Sequence, residues 1–223
     1  FDEDDLSLFS SVAAQLGVVL KNARLFEQTN RRLTETRLLQ QVMQAGAISL
    51  DFDAALEQTV DALHRMLGIE HLSFALPIEG HAGESPSGLK VHPSQIGYPP
   101  ETTEIKIPLD RSLAGKAYLT GEAQVIGDVR ETPIYFAGAP EVLSELNVPV
   151  KVAGRVVAVL NAESTETNAF DDDDLRLFQA VAAQLGIVLE NARLYQRLQE
   201  QRDKLSQAYD ELKEIDRLRT ELV

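Results

Sequence analysis

The chain has 223 residues, enough for one sizeable domain with extensions or for two small ones, and 44% hydrophobic with 25% charged residues suits a protein that buries a core. Twenty-one basic against 35 acidic side chains leave a formal net charge of -14, which repels phosphate backbones and anionic lipid, so neither nucleic acid nor a membrane surface is an expected partner. There is no cysteine, which excludes disulfides, thiolate metal sites, a cysteine nucleophile and a thioether-linked chromophore.

Residues 1–28 (FDEDDLSLFSSVAAQLGVVLKNARLFEQ) recur without a gap as residues 170–197 (FDDDDLRLFQAVAAQLGIVLENARLYQR), with 19 of 28 positions identical. Each copy reads as the start and body of a helix. In the second, Asp171 is placed to cap the first turn, and Asp172, Asp173 and Asp174 sit where the helix dipole favours carboxylates. Phe170 and Leu175 have the spacing of a hydrophobic staple. Four consecutive carboxylates also suggest a metal, but neighbouring helical side chains point in different directions, so none is expected. Leu175, Phe178, Val181, Ala182, Leu185, Val188, Leu189 and Ala192 recur at three- and four-residue steps and form one apolar stripe that should pack on a domain. The second copy closes a module, whereas the first has no module before it. Residues 1–45 are therefore expected to be the last helix of a preceding copy, continued as a linker helix by residues 29–45 (TNRRLTETRLLQQVMQA), with one complete module over residues 46–195. Phe1 in place of an initiator methionine fits a fragment of a longer protein.

Within the module, Asp53 is the expected cap of a helix whose stripe Ala55, Leu56, Val60, Leu63 and Leu67 ends at Gly68. The period then changes. Segments of strand character are expected at His71–Ile78, Leu89–Pro93, Glu104–Leu109 and Ala123–Ile126, and Val148–Val152 and Arg155–Leu160 flank Ala153-Gly154 as a tight hairpin. A short helix, Leu113–Thr120, lies between the third and fourth strands, with Ser112 as cap and Gly121 just past its end. Residues 79–103 and 131–145 are loop-rich, and long loops over a sheet are where ligands tend to be held.

Beyond residue 195, Leu194, Leu198, Gln201, Leu205, Ala208, Leu212, Ile215 and Leu222 follow an alternating four-three register, with Arg219 as the exception. A lone charged helix of this length is marginal in water, so a parallel coiled coil is expected, giving a homodimer joined through the N- and C-terminal helices. No apolar run approaches the roughly 18 residues of a membrane span, so this stretch of chain is expected in the cytoplasm, with room for membrane spans elsewhere in a longer parent protein. His64, His71, His81 and His92 are scattered without the i, i+4 pairing of a helical zinc site. With no catalytic triad, nucleophile motif or phosphate loop either, the chain is expected to be a regulatory fragment and not an enzyme.

The order of these elements, with SLAGKAYLTGEAQVIGDVRE, NVPVKVAGRVVAVLNAEST and AFDDDDLRLFQAVAAQLGIVLENARLY, resembles a GAF domain, the small-molecule-sensing module of many signalling proteins, over roughly residues 46–195. The resemblance implies an α+β fold: an antiparallel sheet of about six strands, helices on both faces, long helical arms at both ends, and a ligand pocket under the loops. By position in such a fold the pocket candidates are Phe74, His92, Tyr118, Arg130, Tyr135, Phe136 and Asn161, a set suited to a planar or anionic metabolite, with His92 also considered as a haem ligand. Bilin-binding members attach their chromophore through a cysteine and sulfoxide-reducing members need cysteines; this chain has none. Cyclic-nucleotide-binding members carry an Asn-Lys, Phe, Asp-Glu signature, whereas here Asn161 precedes Ala162 and Asp174 precedes Leu175. The ligand stays unknown, with no covalent bilin and haem not favoured. The closing run LKEIDRLRTELV (212–223) resembles the segment leading into the phosphoacceptor helix of sensor histidine kinases. The resemblance thus implies a two-component sensor passing a signal through a dimeric coiled coil to an output domain, a histidine kinase in this reading, with a diguanylate cyclase, phosphodiesterase or serine phosphatase as other outputs that sit behind a similar helix; the alternative is a ligand-free dimerisation spacer.

Overall fold

Residues with a two-residue apolar period form strands, those with a three-to-four period form helices, and Gly or Asp marks the changes between them. The structure, a computed structural model, describes residues 3–48, 51–79, 85–136, 138–139 and 141–221. In the long helices it does not describe the side chains of residues 3–8, 10, 14, 45–48, 210–212 and 214–221. In chain order the elements are α1 (Glu3–Ile48), α2 (Phe52–Leu67), β1 (His71–Pro77), β2 (Leu89–Val91), a 3-10 turn (Pro100–Glu104), β3 (Lys106–Ile107), α3 (Leu113–Thr120), β4 (Gln124–Ile126), a second 3-10 turn (Val129–Glu131), β5 (Ser144–Val152), β6 (Arg155–Ser164) and α4 (Asp172–Glu221). The expected Leu222 and His81 lie outside the described residues, as do the side chains of Leu212 and Ile215.

The six strands form one antiparallel sheet in the order β3-β2-β1-β6-β5-β4, so the fold is the α+β arrangement expected from the sequence. The β5–β6 hairpin turns on Ala153 and Gly154, both with positive φ (49° and 79°), the backbone a two-residue turn needs to follow the strand twist. One face of the sheet is oily. Leu72 and Phe74 of β1, Leu146 and Val148 of β5, and Leu160 and Ala162 of β6 alternate onto it. There they meet Leu56 and Val60 of α2, Phe178 and Leu185 of α4, and Leu38 and Val42 of α1, all fully buried or nearly so. Each such Leu or Phe contributes about 1.5–3 kcal/mol relative to exposure. The second half of α1 is thus part of the module's core.

Several boundaries differ from expectation. The cap of α2 is Asp51, whose carboxylate accepts the Asp53 N–H at 3.0 Å, because Phe52 already packs against the core from the first helical position. Strands β5 and β6 extend to Ser144 and Ser164; their ends carry polar residues that a hydrophobic pattern does not mark as strand. The acidic run starts α4: Asp171 accepts the N–H groups of Asp173 and Asp174 (2.8 and 2.9 Å), and Asp174 accepts the Asp171 N–H at 3.0 Å, a reciprocal cap. Arg31 of α1 reaches Asp171, Asp173 and Asp174 at 3.2, 2.8 and 3.4 Å, tying the two arms together where the module begins.

Candidate functional site

On the sheet face opposite α1, α2 and α4, register arranges the outward side chains of β1, β6 and β5 in cross-strand rows. His71, Glu163 and Glu145 stand in one row, Ser73, Asn161 and Asn147 in the next, and Ala75, Val159 and Pro149 in a third. Directly opposed side chains in such a ladder have Cβ atoms about 5 Å apart. Two carboxylates therefore face one another on a surface that the loops bury.

Amides and hydroxyls partly satisfy them. Asn147 and Asn161 each donate a side-chain N–H to Oε1 of Glu145, at 2.7 and 2.9 Å, and Asn161 also donates to Asn147 Oδ1 at 3.1 Å. The hydroxyls of Tyr98 and Ser73 donate to Asn161 Oδ1 at 2.8 and 3.3 Å. Oε2 of Glu163 is buried with no hydrogen-bond partner among the described residues, and neither Tyr135 Oη nor His71 Nδ1 has one. Burial pushes the Glu145 carboxyl up to about 7, opposed by the two asparagine amides. Burial and the neighbouring Glu145 raise Glu163 to about 8. Burial, with help from the two glutamates, also raises Tyr98 and Tyr135 above the usual phenol range, so both stay protonated. Perturbed titratable groups gathered in a cavity are a common mark of a functional site.

The cavity has Ser73, Glu145, Asn161 and Glu163 as its floor. Its roof comes from Tyr98, from Thr102 of the first 3-10 turn and Ile105 just after it, from Ser112 at the start of α3, and from Phe136. Gly138 lies directly over Glu163: a Cβ there would sit 3.4 Å from Oε1. The space enclosed is about 30 Å³, room for one or two waters. The space over this floor is small because Tyr98, Thr102, Ile105, Phe136 and Gly138 lie across it.

The residues expected in the pocket divide. Phe136 and Asn161 line the cavity. Tyr135 packs beside it with Tyr98, Val129 and Val142. Phe74 is on the opposite, helix-facing side and fully buried in the main core; it follows Ser73, and the strand period sends the two to opposite faces. His92 lies just past β2, pointing to α2: Nε2 is 3.3 Å from Asp53 Oδ1 and Nδ1 2.8 Å from Ser94 Oγ. Tyr118 packs under α3 with Ala75, Ala117 and Val159. Arg130 is exposed and forks onto Asp128, with Nε 2.8 Å from Oδ1. In place of the expected cation, the cavity is lined by the carboxyls of Glu145 and Glu163. Sequence reading missed Glu145, Asn147, Glu163, Ser73 and Tyr98; the available signal was the alternation E-L-N-V (145–148) against L-N-A-E (160–163) across a hairpin of known turn. No group of three His, Asp or Glu among the described residues could hold a metal ion.

The profile of the GAF domain family matches residues 49–190, which span the sheet, the cavity and the closing helix. The chain belongs to the GAF domain family. In sequence, this GAF domain is 36% identical over 70 residues to Protein YtsP of Bacillus subtilis (strain 168), covering 31% of this chain and 43% of that one. The chain spans about half the length of the sequence relatives it matches. Among solved structures, the free methionine-R-sulfoxide reductase of Neisseria meningitidis, in complex with its substrate, superposes with a TM-score of 0.62 at 26% identity, covering 72% of this chain and 91% of that one. A putative GAF sensor protein from Burkholderia vietnamiensis gives a TM-score of 0.62 at 22% identity, covering 73% and 97%. Further free methionine-R-sulfoxide reductases share the fold. These enzymes correct the expectation that the chain is regulatory and not an enzyme: catalysis is performed on this same fold, so the lack of a familiar catalytic motif does not decide the matter. No helix among the described residues is long and apolar enough to cross a membrane.

Proposed function

We propose that this GAF domain binds a small molecule presenting a protonated amine to Glu145 and Glu163, and that occupancy is passed to the helical arms as a regulatory signal. One observation carries the reading: two carboxylates opposed across β5 and β6 beneath the loops, one of whose oxygens has no donor among the described residues. A buried carboxylate costs several kcal/mol unless it is paired, and an ammonium group supplies both the charge and the donors. The amides of Asn147 and Asn161 set the orientation of Glu145, while Phe136 and Ala75 supply an apolar wall. The small volume requires the segment 98–107 and the Phe136 side chain to move aside for entry and to return on the ligand.

The output is proposed to run in the cytoplasm through a homodimer formed by the N- and C-terminal helices, as a parallel coiled coil beyond Leu194, to a downstream output domain, a histidine kinase. The heptad spacing of the exposed Leu198 and Leu205 and the sequence of residues 212–223 support this route. Substituting Leu198→Asp together with Leu205→Asp should then convert a dimer to a monomer in sedimentation.

A thermal-shift panel of amines and free amino acids, including free methionine-R-sulfoxide, tests the site. Binding at 100 times Kd raises stability by about 2.7 kcal/mol, a rise in Tm of roughly 5–10 °C for this size, and Glu145→Gln with Glu163→Gln should abolish it. A panel in which only anions or neutral ligands shift the Tm sinks the proposal. A second reading, favoured by the likeness to the Neisseria enzyme, is turnover at the same floor. It is checked by incubating the chain with free methionine-R-sulfoxide and an external dithiol, needed because the chain has no cysteine, and assaying for methionine.

A further inference from the structure

The two copies of the repeated helix have the same sequence where it matters for packing and opposite environments. Every position of α4 between residues 172 and 192 that is buried has the identical residue 169 positions earlier in α1, and every substitution between the copies falls on a position of α4 that is not buried. Val181, Leu185, Val188 and Leu189 are 0, 0, 7 and 4% exposed against the sheet, whereas Val12, Leu16, Val19 and Leu20 are 45, 57, 62 and 64% exposed. Random drift on a free helix would not spare one stripe and alter only the other faces.

A glycine supplies an independent sign. Gly186 of α4 lies against β5 so closely that a Cβ would come 2.2 Å from the carbonyl oxygen of Lys151; the strand backbone leaves room for nothing larger. Its counterpart Gly17 has nothing within 4 Å of the same position among the described residues. A glycine inside a helix costs roughly 0.5–1 kcal/mol relative to alanine, so in α1 it weakens the helix with no neighbour among the described residues to require it. What the stripe and the glycine both fit is the backbone of a twisted sheet. Surfaces exposed in both copies, Val18 and Leu25 of α1 and Ile187 and Leu194 of α4, are left for helix-to-helix contacts.

We propose that Val12, Leu16, Val19 and Leu20 of α1 form the docking face for a second GAF-type sheet, which α1 closes as α4 closes the sheet described above, with a strand backbone seated against Gly17. α1 then belongs to two modules at once: its first half to the core of one, and Leu38 and Val42 to the core of the other.

The test uses the whole chain. Replacing residues 170–197 with the sequence of residues 1–28 puts the α1 stripe on a known sheet; the exchanged chain should unfold cooperatively with a Tm within about 5 °C of the parent, and the same exchange carrying Gly17→Leu should fall by more than about 10 °C. Loss of the cooperative transition in the plain exchange, or equal melting of both forms, overturns the proposal. Because the chain has no native cysteine, a Leu16→Cys variant reports the face directly. Joined behind a second copy of residues 46–169, so that Phe1 takes the place of Phe170, that cysteine should react with a maleimide at least about tenfold more slowly than in the unjoined chain. An unchanged rate overturns the proposal. So does slowing in the unjoined chain as its concentration rises, which would mean that a second copy of the chain covers the stripe.

Discussion

Glu145 and Glu163 make opposite demands on the fold and on its ligand. Both carboxyls titrate higher in the folded chain than the ordinary glutamate value of about 4.3, Glu145 near 7 and Glu163 near 8, with burial as the main cause. The folded state therefore holds protons that the unfolded state releases. Their contribution to stability is fully present below about pH 4 and is lost as pH rises through about 7 to 8. The ligand-free domain should accordingly melt lower at pH 8.5 than at pH 5.5, and Glu163→Gln should flatten that slope; a slope unchanged in the variant refutes the assignment. An ammonium ligand reverses the preference by favouring the charged carboxylates, so binding near pH 7 should release protons, visible as a dependence of calorimetric heat on buffer ionisation enthalpy. Asn161 is the hub of the floor, with contacts to Glu145, Asn147, Ser73 and Tyr98. Asn161→Leu strands those buried groups and should cost about 1–3 kcal/mol in a denaturant titration, where the Glu163→Gln variant should cost less.

At the scale of elements, the apolar alternation of β1, the hairpin turn at Ala153-Gly154 and the bounds of α3 were all legible in the sequence, because each is dictated by local chemistry: a two-residue period, positive φ at the turn, a Ser112 hydroxyl that accepts the Gly115 N–H at 2.9 Å. The site was less so. Strands β5 and β6 reach four residues further than their hydrophobic runs, and it is that extension that carries Glu145, Asn147, Asn161 and Glu163; a charged residue at a strand end looks like loop until pairing shows what covers it. The facing of Phe74 was readable from Ser73, its neighbour on the strand, but His92 and Arg130 depend on contacts with Asp53 and Asp128 that follow from tertiary placement and local turn geometry. The close approach of α4 to β5 is likewise invisible as a contact until the helix is set on the sheet. Gly186→Val places a branched side chain where Lys151 O stands 2.2 Å from the Cβ position, so the helix must lift off β5. The expected loss is at least about 1–3 kcal/mol, read as a fall in denaturation midpoint, with Ala183→Val on the exposed side of the same helix as a near-neutral control.

In the whole molecule, pocket and arms are separated by one thickness of sheet. Ser73 on the floor alternates with Leu72 and Phe74 in the helix core; Glu145 and Asn147 alternate with Leu146 and Val148; Asn161 and Glu163 with Leu160 and Ala162. A ligand that draws Glu145 and Glu163 together must therefore change how β5 and β6 twist against α4, and through Leu38 and Val42 how α1 lies beside it. Packed interiors have few alternative arrangements, so under the proposed function a small shift on the floor would move the arms as bodies, sliding where Arg31 meets the acid start of α4. If ligand occupancy is coupled in this way, binding should raise hydrogen-exchange protection in residues 33–43 of α1 and 177–192 of α4, far from the cavity, as well as in the loop segments 98–107 and 132–136. Leu38→Ala, which opens a void between α1 and the sheet and should cost about 2–5 kcal/mol, should weaken the response in α1 while leaving the loop response intact. Protection confined to the loops would show that the sheet absorbs the ligand's pull and that the arms do not feel it.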